Sequence, residues 1–248
     1  MTFSGRAVGS SLYGPGRDPL QTPIFRNLAT QDVEELLPDL HERRYARGQT
    51  VWIEGDRADV MVVLAEGQLK AHRVSRDGRE VILGVYGAVA VTGEVGLFHP
   101  VGIRWLSLSA MTAARWMMIR RAPLLAFLAR HPAAMQRMLE QLSMAAVQAA
   151  YSFSGVAFDD IGCRLASLIL HLADQHGEST SDGLRIRLRL SQGELAAYVP
   201  ASREGVNRAL AALVSRGVVS QPGGHYVHDS AALDEAARAG GDLNLRGL

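Results

Sequence analysis

The stretch from Ser191 to Gly217, SQGELAAYVPASREGVNRALAALVSRG, places two helix starts eleven residues apart with a break between them, and it restricts the fold more than any other segment. Ser191 and Glu194 make an S-x-x-E capping box in which each side chain satisfies the other's orphan backbone N–H, so a short helix opens here. Pro200 and Ala201 end it near Val199, and Ser202 caps a second helix running to about Ser215. Two helices joined so tightly must turn sharply against each other. On the second, Val206, Leu210 and Leu213 recur at i, i+4 and i+7 and face inward. Arg203, Glu204, Asn207 and Arg208 are left on the opposite side of its first turns.

That outward set suits base-edge reading. An Arg fork matches O6 and N7 of guanine, Glu accepts from the exocyclic amine of cytosine, and Asn pairs with adenine, all in the major groove of double-stranded DNA. The N-terminal end of a second helix is what a helix-turn-helix inserts there. The competing reading is a solvated helix face of mixed charge. A hairpin follows, with Val218 to Ser220 and His225 to Val227 around Pro222-Gly223-Gly224, and it has the composition of a wing beside such a helix. Between Asp182 and His228 six arginines stand against three acids, a surplus of three that favours phosphate contact.

Upstream, the pattern changes twice. Thr30 to Leu40 reads as a helix with Thr30 as its cap. From Gly48 to Ile119 the chain reads as short strands broken at glycines: Thr50 to Glu54, Val60 to Ala65, Gln68 to Val74, Glu80 to Tyr86, Trp105 to Thr112 and Ala114 to Ile119. That spacing predicts a compact barrel or roll. From Pro132 to Val156 a long helix is expected, with Met135, Met138, Leu142, Ala145, Ala149, Ser152 and Val156 at alternating three- and four-residue steps, the seam of a coiled coil. Its small residues would let two copies approach closely; packing on its own domain is the alternative. Asp159 and Asp160 then cap a helix to about Gly177, Glu178 to Gly183 reads as a polar loop, and Leu184 to Leu190 alternates as a half-buried strand.

Ser202-Arg203-Glu204-Gly205-Val206-Asn207-Arg208 resembles the recognition-helix motif S-R-E-x-V-x-R of the CRP/FNR family of transcription regulators, and the order of zones matches that family from about Pro23 to His228. The resemblance implies an α+β chain: an N-terminal β-roll (jelly-roll-like) sensor domain, a long dimerisation helix and a C-terminal winged helix-turn-helix. The expected division is a flexible arm over 1–22, the sensor over 23–130, the dimer helix over 131–158, the DNA-binding domain over 159–229 and a tail over 230–248. It implies a homodimer on a palindromic operator, base reading by Arg203, Glu204 and Arg208 at a half-site related to TGTGA, and RNA polymerase as a partner. Gly205 and Asn207 depart from the closest branch, which bears on the operator sequence.

Val51 to Gly67 resembles the first signature of the family's cyclic-nucleotide-binding β-roll, departing at Trp52. Gly93-Glu94-Val95-Gly96-Leu97-Phe98 resembles the opening of its phosphate cassette, with Arg104 where the phosphate-binding arginine stands. Gly93, Glu94, Arg104 and Trp105 are therefore the candidate effector residues. Trp105 replaces a small hydroxyl residue, and Ala149 and Ala150 stand where cyclic AMP binders carry Thr and Ser, which alanines cannot replace as donors or acceptors. These departures disfavour cyclic AMP. The pocket then takes another small molecule, or keeps the cassette as structure with Glu94 and Arg104 paired to each other.

One cysteine, Cys163, excludes an intramolecular disulfide, a cysteine-ligated iron-sulfur cluster and a zinc finger, and fits a reducing, cytoplasmic setting. Its place on a helix reads as packing. No apolar run approaches the roughly 18 to 20 residues that span a bilayer, so no membrane segment is expected. No G-x-S-x-G, P-loop or H-E-x-x-H is present, and the chain is not read as an enzyme. A cyclic-nucleotide-responsive regulatory subunit acting on a protein partner is the alternative from another class.

Overall fold

The computed structural model describes residues 22, 24–25, 28–181, 183–188, 190–220 and 225–239, with the backbone alone described at Tyr151, His225 and Tyr226. The expected arm up to residue 21, Arg189, the turn Pro222-Gly223-Gly224 and the tail from Gly240 lie outside the described residues. The chain divides into two compact units. Described residues up to Arg73 together with Gly84–Ala145 form the first; Val74–Leu83, Ala146 and the described residues after it form the second.

Two four-stranded sheets are built largely from the first unit, with residues Val74–Leu83 of one of them counted in the second. One has β1 (His41–Tyr45), β8 (Ala114–Arg120), β3 (Val60–Glu66) and β6 (Val91–Thr92) in that order; the other has β2 (Thr50–Trp52), β7 (Ser107–Ala110), β4 (Leu69–Val74) and β5 (Glu80–Tyr86). In β3 alternate residues enter two different cores. Met61 and Val63 join Ile24, Leu97, Ile119 and Phe127, whereas Val62 and Leu64 join Leu69, Leu108 and Trp116. A strand buried on both faces needs no polar positions, which is why VMVVLAE reads as one apolar run.

Four elements of this unit carry no periodic signal. β1 is the charged edge sequence HERRY, paired to β8 with His41 opposite Met118 and Tyr45 opposite Ala114. β6 has two residues, and α2 (Glu94–Phe98) has five. α3 (Arg121–Arg130) buries Leu124, Phe127 and Leu128. The expected helix over Thr30 to Leu40 is α1 (Thr30–Glu34) followed by a 3-10 turn at Leu37–Asp39, and Thr30 is not its cap: Ala29 holds that position without a side-chain hydrogen bond. Thr22, assigned to the arm, is fully buried, so the folded domain already includes it.

The second unit holds α5 (Ile161–His176), α6 (Gln192–Tyr198), α7 (Arg203–Ser215), α8 (Ser230–Arg238) and a sheet ordered β11 (Val219–Ser220), β12 (His225–Val227), β10 (Gly183–Ile186), β9 (Gly177–Thr180). Asp160 caps α5 by accepting from the Cys163 N–H at 2.8 Å. The polar loop expected over Glu178 to Gly183 is largely β9, paired antiparallel to β10; its side chains face water, so the strand has no apolar alternation to betray it. The strand expected to reach Leu190 stops at Ile186, although Leu188 and Leu190 stay buried as the alternation requires. α8 packs on α5 with Leu233 fully buried, so this part of the expected tail belongs to the unit's core.

Candidate nucleic-acid interface and ligand pocket

Both helix starts in the Ser191–Gly217 stretch form as local rules require. Ser191 Oγ accepts from the Glu194 N–H at 3.2 Å while Glu194 accepts from the Ser191 N–H at 2.7 Å, completing the capping box of α6. Ser202 Oγ accepts from the Gly205 N–H at 3.1 Å and starts α7. Val206, Leu210 and Leu213 are buried, and Ser202, Arg203, Glu204, Asn207 and Arg208 are exposed together around the helix start. Glu204 and Arg208 approach only to 4.0 Å and are each more than three-quarters exposed, so their mutual attraction is weak and leaves both groups available.

Two glycines fix how this surface is presented. Gly205 is buried with Ile161 of α5 against it: a Cβ would come 2.8 Å from Ile161 Cδ1, so that side chain would have to shift to admit one. The Gly205 departure therefore serves packing. Gly193 in α6 leaves room for Arg203, whose Nη2 would lie 3.3 Å from a Cβ there. Beside α7, Val219 and Ser220 pair with Val227 and Tyr226, the two-stranded base of the expected wing. Of the nearby arginines, Arg187 is paired to Glu178 at 3.1 Å on this unit's sheet.

The candidate effector residues also lie together, around a cavity of about 100 Å³ lined in part by Trp52, Tyr86, Thr92, Gly93, Glu94, Arg104 and Trp105. Their chemistry differs from the expectation in three ways. Arg104 and Glu94 do not pair. Arg104 Nη1 donates to the Gly93 carbonyl at 3.0 Å and Nη2 to the Val60 carbonyl at 2.6 Å, while Glu94 Oε2 and Arg104 Nε are buried without a hydrogen-bond partner. Trp105, which stands where the family carries a small hydroxyl residue, does not enter the pocket as a plug but is half exposed at the rim, edge-on to His99 at 5.0 Å. The indole over the arginine is that of Trp52, 3.9 Å from the Arg104 guanidinium carbon.

Burial pushes the Glu94 carboxyl up, against its own backbone, the Gln141 amide and the Arg104 charge. Burial also pushes the Tyr86 hydroxyl up, with the Glu94 charge adding to it. Burial pulls the Arg104 guanidinium down, opposed by Asp59, Glu94 and Asp56. Trp52 stood out in the sequence only as one departure in a signature, and Tyr86, Thr92 and Gln141 carried no signal at all. Trp52 comes from β2, Tyr86 from the end of β5, Thr92 from the two-residue β6 and Gln141 from the long helix.

The long helix α4 (Pro132–Phe158) corrects part of the seam. Met138 is fully buried in the first unit's own core, and Met135 and Leu142 pack against that core, so these three serve the chain itself. The same stripe is released further along, where Ala145, Ala149, Ser152 and Val156 are exposed, together with Met144, Phe153 and Phe158. Among the described residues no helix is long and apolar enough to cross a membrane. Cys163 is buried, and burial together with Asp160 pushes its thiol up, as suits a packing residue.

The sequence matches the cyclic nucleotide-binding domain family over residues 42–131 and the Crp-like helix-turn-helix domain family over residues 163–236. It is 31% identical to a CRP-like cAMP-activated global transcriptional regulator of Mycobacterium tuberculosis over 216 residues, 87% of this chain and 96% of that protein. It is 29% identical to the cyclic AMP receptor protein of Thermus thermophilus, across 87% and 97% of the two chains. Among solved structures, the c-di-GMP responsive global regulator CLP of Xanthomonas campestris superposes with a TM-score of 0.67 at 27% identity, covering 80% of this chain and 98% of that one. With both domains matched in order and a relative of this identity spanning nearly the whole length, the chain belongs to the CRP/FNR family of transcription regulators.

Proposed function

We propose that the protein acts as a homodimer, binding a palindromic operator through α7 of each copy. The observation that carries this is the exposed cluster of Arg203, Glu204, Asn207 and Arg208 over a buried Val206, Leu210 and Leu213, on a helix whose start is fixed by the Ser202 cap. Ser191, exposed at the start of α6, is assigned a phosphate contact that positions the motif. The pairing face is the exposed part of α4 from Ala145 to Val156, since so many uncovered apolar groups on one helix are covered most simply by their symmetry mates. The functional division is a sensor that begins at or before Thr22 and runs to 130, the dimer helix over 131–158 and a DNA-binding domain from 159 through α8, in a cytoplasmic regulator that contacts RNA polymerase.

Selection of bound duplexes from random DNA tests this reading. It should enrich a palindrome whose half-sites, related to TGTGA, lie about 34 Å apart, one helical turn. No enrichment at moderate salt would overturn it. Light scattering should give a dimer, and Ala149→Glu, which places charge on the pairing face, should give a monomer.

The departures at Trp105, Ala149 and Ala150 disfavour cyclic AMP as the effector, where one gates activity. Two relatives are named for cyclic AMP and one solved structure as c-di-GMP responsive, so pocket residues rather than the fold select the ligand.

A further inference from the structure

We propose that Trp52 is a built-in occupant of the anion position in the β-roll pocket, and that its indole is what denies Arg104 to the phosphate of a cyclic nucleotide. This rests on the reading of the β-roll as a ligand pocket and deepens it by naming the residue that sets its specificity.

Arg104 is equipped to hold an anion, because a guanidinium offers five N–H donors in a fixed fork. Here it is only 3% exposed. Two of its nitrogens are taken by the Gly93 and Val60 carbonyls, and its guanidinium carbon sits over the Trp52 ring, 3.9 Å from the centroid. A cation over an indole face is itself a favourable arrangement, so the ring substitutes for an anion without carrying charge. The indole is fixed from behind: Trp52 Nε1 donates to the Leu106 carbonyl at 3.0 Å, across from β2 to the segment ahead of β7. There is no slack beside it. Gly93 holds φ +95°, and a Cβ there would lie 2.8 Å from Arg104 Nη1 and 3.2 Å from Trp52 Cη2.

The remaining cavity of about 100 Å³ falls well below the roughly 300 Å³ at which small-molecule pockets begin. It nevertheless keeps unmet polar demand: Arg104 Nε and Glu94 Oε2 are buried without partners. Such groups are costly to leave unsatisfied, and a ligand's phosphate and hydroxyl would answer both once the indole is gone. Trp105 does not share this role, being half exposed and turned edge-on to His99.

The test is calorimetric titration of the full-length protein with cyclic AMP and with cyclic GMP. Wild type should show no saturable heat. Trp52→Ala, and Trp52→Val, which puts a strand-favouring β-branched residue on β2, should bind at least tenfold more tightly than wild type. Trp52→Phe, which keeps a ring over the guanidinium, and Trp105→Thr should stay at the wild-type level, and Arg104→Gln in the Trp52→Val background should abolish the gain. Micromolar binding by wild type overturns the proposal whatever the stability of the variants. So does a Trp52→Val protein with native circular dichroism and wild-type affinity, or a gain produced by Trp105→Thr. Operator binding by the wild type, followed by gel shift in the same buffer, is a separate readout: its loss counts against the DNA-binding reading alone.

Discussion

Arg203 and Arg208 stand exposed at the start of α7, whereas Arg104 lies buried with both its Nη atoms donating to backbone carbonyls and its guanidinium carbon over the Trp52 indole. All three occupy motif positions at which the family resemblance implies ligand contact. The contrast teaches that a motif reports which residue is present and leaves open whether its donors are still available. On α7 availability follows from local geometry, because a capped helix with an apolar stripe on one side must show its other side to water. In the β-roll it depends on which side chains distant strands bring alongside.

The largest expected effect sharpens this contrast on the buried side. Arg104→Ala would strand the Gly93 and Val60 carbonyls and should lower stability by about 1.5–3 kcal/mol, measured by urea unfolding. An unchanged unfolding midpoint would mean the arginine is not spent on structure. Next, Arg203→Ala should leave the unfolding midpoint in place yet cost about 1–3 kcal/mol of affinity for the selected operator. Equal weakening on operator and random duplex would reduce Arg203 to a phosphate contact. A smaller loss, about 1 kcal/mol of stability, is expected for Ser202→Ala, since one orphan N–H at the start of α7 loses its acceptor. Circular dichroism melts of the variant check it.

The smallest effect carries a pH signature. The Glu94 carboxyl is held above its ordinary value by burial, so the folded protein retains a proton that the unfolded chain gives up. Stability from this group is complete below the unfolded value, about 4.3, and is lost as pH rises through the folded value. Glu94→Gln is neutral throughout, and should melt higher than wild type at pH 7 with the difference closing near pH 4. A variant that melts lower at neutral pH would show that the ionised carboxylate is compensated inside the pocket.

Much of the chain was legible because short-range chemistry determines it. The Ser191–Glu194 box, the Ser202 and Asp160 caps, the buried Val206–Leu210–Leu213 stripe and the apolar run of β3 each follow from neighbours within a turn or a pleat. β1, β9 and α2 were not legible, since a charged edge strand, a solvent-facing strand and a five-residue helix have no periodicity to display. The α4 seam was half legible: its three-four rhythm is real, but rhythm alone does not say whether Met138 meets its own core or a partner.

By itself, then, the sequence determined the two capped helices, the exposed polar face at the start of α7 and the order of β-roll, long helix and winged unit, because hydrogen-bond capping and hydrophobic periodicity act over a few residues. Only the tertiary structure decided that the Ile161 side chain packs against Gly205, that Met138 is withdrawn into the first unit's core, and that Trp52 lies on Arg104. Each of these joins residues far apart in the chain, where the outcome depends on how sheets and helices close around a shared volume.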